Sequence, residues 1–327
     1  MSSTAVSLSL AGLSFILTVI WGPPLIRILR HFKVGKQIRL EGPERHFSKL
    51  GTPTMGGIMI IMPVLLVTLM LNAASLIGIK YSGRSVLLPL GVMVAFAILG
   101  AVDDWEGLRG RRRGKGMRAR TKFLIQWIIA LVAGFGLWIY LDVPGIYLPG
   151  VQVEIEPRWW YVPVAAFVIV YSSNSINLTD GLDGLAGLIS ATAFAAYGAI
   201  ALLQGQIYLA RFCFVLIGAL FGFLWFNVHP ALLFMGDTGS LALGATLGTV
   251  ALMTGQPTNP MPIINNTCYS YVSDKEAMHV TGVYRYDAAQ KVVAPVPGAG
   301  GVSAQRSELE KGFADAWAAN IWADTLS

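Results

Sequence analysis

Charge is what this 327-residue chain has least of. Only 13% of its residues are Asp, Glu, Lys or Arg, roughly half the share of a soluble globular domain, which excludes an ordinary water-soluble fold. Two cysteines exclude a disulfide framework or a thiolate metal site. Cys213 falls inside an apolar segment and Cys268 in a tail beyond the last one, so no disulfide between them is expected. The four histidines are scattered: His46 and His229 are too isolated for a metal site, and His31 lies beside a basic loop. There is no internal repeat. No cleavable signal peptide is expected either, because the first apolar segment carries Pro23-Pro24. No nucleic-acid partner is expected.

Hydrophobic residues make up 54% of the chain, and the mean hydropathy is +0.60. Both indicate an all-α polytopic membrane protein, because a helix satisfies its own backbone in lipid. Apolar runs of spanning length lie at 7–29, 55–78, 85–102, 123–141, 160–176, 185–203, 208–227 and 233–255, giving about eight transmembrane helices. The eighth is the weakest, since its uninterrupted apolar part, Leu241 to Met253, is short.

The loops alternate in charge. Loop 30–54 carries Arg30, Lys33, Lys36, Arg39, Arg45 and Lys49, and loop 103–122 carries Arg109, Arg111, Arg112, Arg113, Lys115, Arg118, Arg120 and Lys122. The positive-inside rule places both in the cytoplasm. Loop 142–159, with Asp142, Glu154 and Glu156, faces outward. The basic loops suit anionic membrane lipids as well as a phosphorylated ligand, and most of 109–115 reads as topological. Lys122, at a helix edge, reads as functional.

Against this sparse charge, acids collect at helix ends: Asp103-Asp104, Asp180 with Asp183, and Asp237. They follow helices three, five and seven, so one cytoplasmic face receives them all. A carboxylate beside a bilayer is expensive and marks a functional site. Five converging carboxylates call for a compensating cation, and oxygen donors favour a hard ion such as Mg²⁺, held by one or two carboxylates plus substrate phosphates. Asn174, Asn177, Asp180 and Asp183 recur every third residue, on one helical face. Residues 234–240, Phe-Met-Gly-Asp-Thr-Gly-Ser, set an acid between glycines before a helix whose N-terminus can receive phosphate oxygens.

The segments FSKLGTPTMGG (47–57), AVDDW (101–105), NLTDGLDGLAG (177–187) and WFNVHPALLFMGDTGSLALG (225–244) resemble the signatures of the phospho-N-acetylmuramoyl-pentapeptide transferases, within the polyprenyl-phosphate sugar-1-phosphate transferases. The resemblance covers about residues 1–255. It implies attack of undecaprenyl phosphate on the β-phosphate of UDP-MurNAc-pentapeptide, giving lipid I and UMP with Mg²⁺, in the bacterial inner membrane. By motif, Asp237 would be the principal Mg²⁺ ligand, and Asp103, with Asp104 beside it, would deprotonate or orient the lipid phosphate. Asp180 and Asp183 would sit at the nucleotide and metal, and Lys122 would meet a phosphate. Asn174, Asn177 and Asn227 would orient phosphate, ribose or carboxylates. Lys49, Thr54 and Phe234 would border the uridine, and Gly236 and Ser240 complete the substrate-binding set. Thr54 as a helix cap and Phe234 as a packing residue stay open beside these roles. A direct attack is favoured over a covalent phospho-enzyme, since a lipid phosphate is already anionic.

Two departures from that pattern stand out. Where the family often has a lysine three positions after its second adjacent aspartate, this chain has Gly107, so the cation must come from Arg109, Lys115 or nowhere. After about Gly255 the resemblance implies two further helices separated by a loop with a histidine cluster, and neither is found. Residues 256–327 read instead as a periplasmic tail of mixed strand and helix character. It has strand-like stretches near 268–272 and 278–286, a Pro/Gly-rich link at 295–301, and a final helix. Ser307 and Glu310 suit a capping box there, and Leu309, Phe313, Trp317 and Ile321 form an apolar stripe. An N-acetylhexosamine-1-phosphate transferase, a homologue that binds without turnover and a transporter remain as alternatives. Gly/Ala helix faces suit a homodimer.

Overall fold

A computed structural model describes residues 3–32, 52–76, 83–109, 116–141, 146–147, 154–155, 160–255, 284–287 and 292–295. The chain forms two compact units, one of residues 1–202 and 206–260 and the other of residues 203–205 and 261–327.

The first unit is a helical bundle. Its helices are α1 (Ser3–His31), α2 (Gly57–Leu76), α3 (Leu87–Arg109), α4 (Ala119–Phe135), α5 (Tyr161–Thr179), α6 (Leu185–Leu203), α7 (Ile207–Asn227) and α8 (Gly236–Met253). Among the described residues, α1 to α7 are long and apolar enough to cross a membrane, so the chain is a multi-pass membrane protein of all-α class. The helices fall where the apolar runs predict, within a few residues at most ends. The α4 helix runs on through a π-turn, Gly136–Tyr140. A two-residue antiparallel pairing, β1 (Ile146–Tyr147) with β2 (Glu154–Ile155), lies in the loop expected to face outward.

The weakest sequence signal, α8, is the centre of the bundle. From Thr238 to Met253 every residue but Leu247 is buried, between α3 on one side and α5 on the other, with α2 also in contact. Its low apolarity has a packing cause. The helix is rich in Gly, Ala, Ser and Thr, small residues that let neighbouring backbones come close. A side chain at Gly100 of α3 would collide with the carbonyl of Asp237, and one at Gly57 of α2 with the backbone of Gly239. Buried on all sides, α8 needs no continuous greasy surface. The outer pair, α1 and α7, runs in close contact in the same way, with Gly218 and Gly222 of α7 against Ala11 and Thr18 of α1. These small-residue faces are spent inside the chain.

In the second unit, β3 (Tyr284–Asp287) pairs antiparallel with β4 (Val292–Pro295). The strand expected near 278–286 overlaps β3, whereas β4 takes in Pro295, the first residue of the expected link. The stretch 268–272, the rest of the link and the helix with Leu309, Phe313, Trp317 and Ile321 lie outside the described residues.

Candidate active site

The end of α3, the start of α4, the end of α5, the end of α7 and the start of α8 meet at one end of the bundle. Their meeting is enforced by side chains rather than by apolar packing alone. Lys122, in the first turn of α4, points its ammonium at two acids. It donates to Asp103 Oδ2 on α3 at 2.9 Å and also to Asp237 Oδ2 on α8. From the opposite side Asn177 of α5 donates to Asp237 Oδ1 at 2.9 Å and to Ser240 Oγ at 2.8 Å. Ser240 in turn donates to the Gly236 carbonyl at 3.0 Å. The backbone N–H of Met117 closes on Asp103 Oδ1. Side-chain exposure separates the acids: 12% at Asp103, 28% at Asp237, with Lys122 at 17%. Of the two carboxylates bound to Lys122, the side chain of Asp237 is the more exposed.

Asp104, one residue along α3, has a different occupation. Its carboxylate accepts the backbone N–H groups of Thr238 at 3.0 Å and Asp237 at 3.2 Å, and the Thr238 hydroxyl at 2.7 Å. It is an N-terminal cap of α8 supplied by another helix, which satisfies orphan donors and opposes the positive end of the helix dipole. No residue of α8's own approach supplies a side-chain cap. Asp104 thus ties the first turn of α8, and with it Asp237, to the end of α3.

The segment before α8 is fixed by backbone pairing with the segment before α2. Phe234 N donates to the Pro53 carbonyl at 2.9 Å, Gly56 N to the Phe234 carbonyl at 2.8 Å, and Gly57 N to the Met235 carbonyl at 2.9 Å. Gly236 has φ +72°, and a Cβ there would sit 2.6 Å from Asp104 Oδ2 and 2.8 Å from Thr54 Oγ1. Thr54 is buried against that turn, three residues before α2 begins. Phe234 is partly buried.

Asn227 is likewise a backbone clamp. It accepts from Gly184 N at 3.0 Å and donates to the Leu233 carbonyl at 2.8 Å, tying the α5–α6 turn to the loop that leads into Asp237. Beside it His229 Nδ1 lies 3.0 Å from Asp183 Oδ2, with Asp183 6% and His229 78% exposed. The histidine dismissed as isolated is thus the partner of a predicted site acid. Asp180 ends α5, its N–H bonded to the Ile176 carbonyl. Asn174 is directed elsewhere, donating to Gln126 Oε1 of α4 and the Val170 carbonyl, both at 2.8 Å. Lys49 and Lys115 lie outside the described residues, as does the side chain of Arg109.

Asp103, Lys122, Asn177, Asp237 and Ser240 are therefore brought together in one network. Asp104, Asn227, Thr54 and Gly236 shape it from behind, and Asn174 packs away from it. Part of the compensating charge expected for these acids comes from the protein itself. Four of the five acids are divided among a lysine, a helix N-terminus and a histidine, each a compensation that sequence spacing does not reveal. Among the described residues no group of three His, Cys, Asp or Glu side chains could hold a metal ion. What the cluster offers a hard ion is oxygen, chiefly from Asp237. Sequence reading missed Thr238, Gln126 and His229. Gln126 carried a signal, as the one uncharged polar amide in the apolar run after Lys122.

Residues 86–255 match the family model of glycosyl transferase family 4. A phospho-N-acetylmuramoyl-pentapeptide-transferase of Chloroflexus aurantiacus is 47% identical over 259 residues, covering 76% of this chain and 68% of the relative. Enzymes of that same name from Geobacillus sp. strain WCH70 and Bacillus velezensis are 43% and 41% identical, each over 74% of this chain and 73% of the relative. Residues 260–326 match a different model, the flavin-binding region of flavocytochrome c sulphide dehydrogenase.

Proposed function

The chain belongs to glycosyl transferase family 4, among its phospho-N-acetylmuramoyl-pentapeptide transferases, and we propose that it makes lipid I. In this reading phospho-N-acetylmuramoyl-pentapeptide passes from UDP-MurNAc-pentapeptide to undecaprenyl phosphate, and UMP is released. The site faces the cytoplasm across the bacterial inner membrane, as the basic loops suggest.

The observation that carries the proposal is the Lys122 ammonium held between Asp103 and Asp237, with Asn177 fixing Asp237 from behind. Phosphoryl transfer asks a protein for alignment and charge neutralisation more than for covalent chemistry. An oxygen of the lipid phosphate attacks the β-phosphorus of the donor, the bond from that phosphorus to the UMP oxygen breaks, and UMP departs with the electron pair. Lys122 can neutralise a phosphate in this step by turning part of its charge from the carboxylates. Direct attack is favoured by the geometry of the other acids. Asp103 is bound to Lys122 and Met117, and Asp104 is consumed by the N-terminus of α8. Neither is a free nucleophile.

The donor set fits Mg²⁺, which takes one or two carboxylates and fills its shell with substrate phosphate and water oxygens. Asp237 would hold it, with Asp103 adjacent, and the ion would supply charge neutralisation on the diphosphate. A transferase assay with fluorescent UDP-MurNAc-pentapeptide and undecaprenyl phosphate tests the proposal. Product is expected with Mg²⁺, and none after chelation or in Asp237→Ala. Turnover that survives Asp237→Ala would remove the metal assignment, and preference for UDP-N-acetylhexosamine would replace the substrate. A second reading, binding without turnover, is favoured by one observation: the family match stops at residue 255 and the following residues match another family. UMP binding in the absence of any product would select it.

A further inference from the structure

A second polar contact lies one helical turn further into the bundle than the Lys122 network. Gln126 follows Lys122 by four residues on α4, and Asn174 precedes Asn177 by three on α5, so each lies on the helix face of the site residue above it. Asn174 Nδ2 donates to Gln126 Oε1 at 2.8 Å and to the Val170 carbonyl of its own helix. Gln126 is 1% exposed, and its Nε2 has no hydrogen-bond partner among the described residues. At the same level Ser173 donates to the Leu241 carbonyl of α8 at 3.0 Å. The α5 helix is thereby pinned to α4 on one side and to α8 on the other, directly beneath the residues that meet at Asp237.

A buried amide with an open donor is costly in an apolar bundle, and a pair of hydrophobic side chains would join α4 to α5 without that cost. What apolar contact cannot supply is direction. A hydrogen bond between two amides fixes the rotation of one helix about its axis relative to the other, whereas hydrophobic contact tolerates sliding. We propose that Gln126 and Asn174 are positioning residues, a second tier that sets the rotation of α4 against α5. That rotation aims Lys122 at Asp103 and Asp237 while Asn177 holds the far side of Asp237. Asn174 then acts through Gln126, not on substrate.

The kinetic part of the test rests on the proposed transferase activity; a second readout does not. Gln126→Met keeps side-chain volume and deletes the bond, and Asn174→Leu deletes it from the other helix, so either variant suffices if one fails to accumulate in membranes. Each is expected to lower kcat about tenfold or more, as small misplacements of reacting groups do, with the donor KM within about twofold. The double variant is expected to be no slower than the slower single one, since both remove the same bond. In parallel, Lys122 is labelled with an amine-reactive reagent in the full chain in detergent. Protection in the wild type that is lost in Gln126→Met supports the proposal. Unchanged kcat with only a lower melting temperature, or unchanged Lys122 labelling, overturns it. If the wild-type chain shows no turnover, the transferase reading fails, and the labelling result alone decides this one.

Discussion

The ammonium of Lys122 is bound to the carboxylate of Asp237, 115 residues further along the chain, and the same ammonium holds Asp103. Replacing Lys122 by Met leaves two half-buried acids facing each other without their cation and a substrate phosphate without its partner. The expected result is a fall in kcat of about a hundredfold or more, the usual cost of deleting a preorganised charge at a phosphoryl-transfer site. Lys122→Arg keeps the charge but is a planar fork in place of a compact point charge, so it should fall between the two. Steady-state transfer rates, normalised to folded protein, check the order.

Asp104 predicts a different signature. Because its carboxylate accepts three bonds from the first turn of α8, Asp104→Asn presents an amide N–H to donors that need an acceptor. The expected destabilisation is about 1–3 kcal/mol, the range for leaving buried donors unpaired. It should appear as a lower melting temperature together with a loss of rate. A reactive acid would lose rate alone. Asp237→Asn, at a more open position, is expected to lose rate with little change in melting temperature.

The helices were legible because a membrane demands long apolar runs, and α1 to α7 follow that demand closely. The α8 helix was harder to read because it packs by smallness. Gly239, Gly244 and Gly248 let neighbouring backbones approach, and a hydropathy signal does not register close approach. The acids themselves were legible as charges that a bilayer would not tolerate without cause. Their partners were not. Nothing near Asp104 in sequence announces that it caps a helix starting 132 residues later, at Gly236, and nothing near Asp183 announces His229. Asp103 and Asp237 share Lys122, whereas Asp104 and Asp183 each have a partner of their own. Gln126 is legible from its own helix as a polar residue in an apolar run, although it carries no charge.

Two links tie the α5–α6 turn to the loop before α8, and burial ranks them. Asn227, 4% exposed, satisfies Gly184 N and the Leu233 carbonyl, so Asn227→Ala strips two backbone groups of partners and should cost about 2 kcal/mol or more. The Asp183–His229 contact has a ring that is 78% exposed, and such pairs are worth about 0–1 kcal/mol. His229→Ala is therefore expected to shift the melting temperature far less than Asn227→Ala. Hydrogen exchange at residues 181–184 should rise strongly in the first variant named for Asn227 and weakly in the His229 variant. A reversal of that order would mean that the histidine, rather than the amide, holds the turn.

The boundary at residue 255 can be tested for what each side contributes. Every described member of the Lys122 network lies between residues 103 and 240, and the family match ends at 255. Residues 260–326 match a flavin-binding region, and residues 261–327 belong to a separate compact unit. If the site is complete for ligand binding within the first unit, replacing 256–327 by the C-terminal segment of the Chloroflexus relative should leave UMP affinity within about twofold, the range of changes remote from a site. Turnover is the discriminating quantity, because the match covers 68% of the relative's length. A large gain in kcat in the exchanged protein at constant UMP affinity would assign substrate binding to residues 1–255 and part of the rate to the exchanged C-terminal segment. Equal kcat would show that the Lys122 network carries the reaction without it.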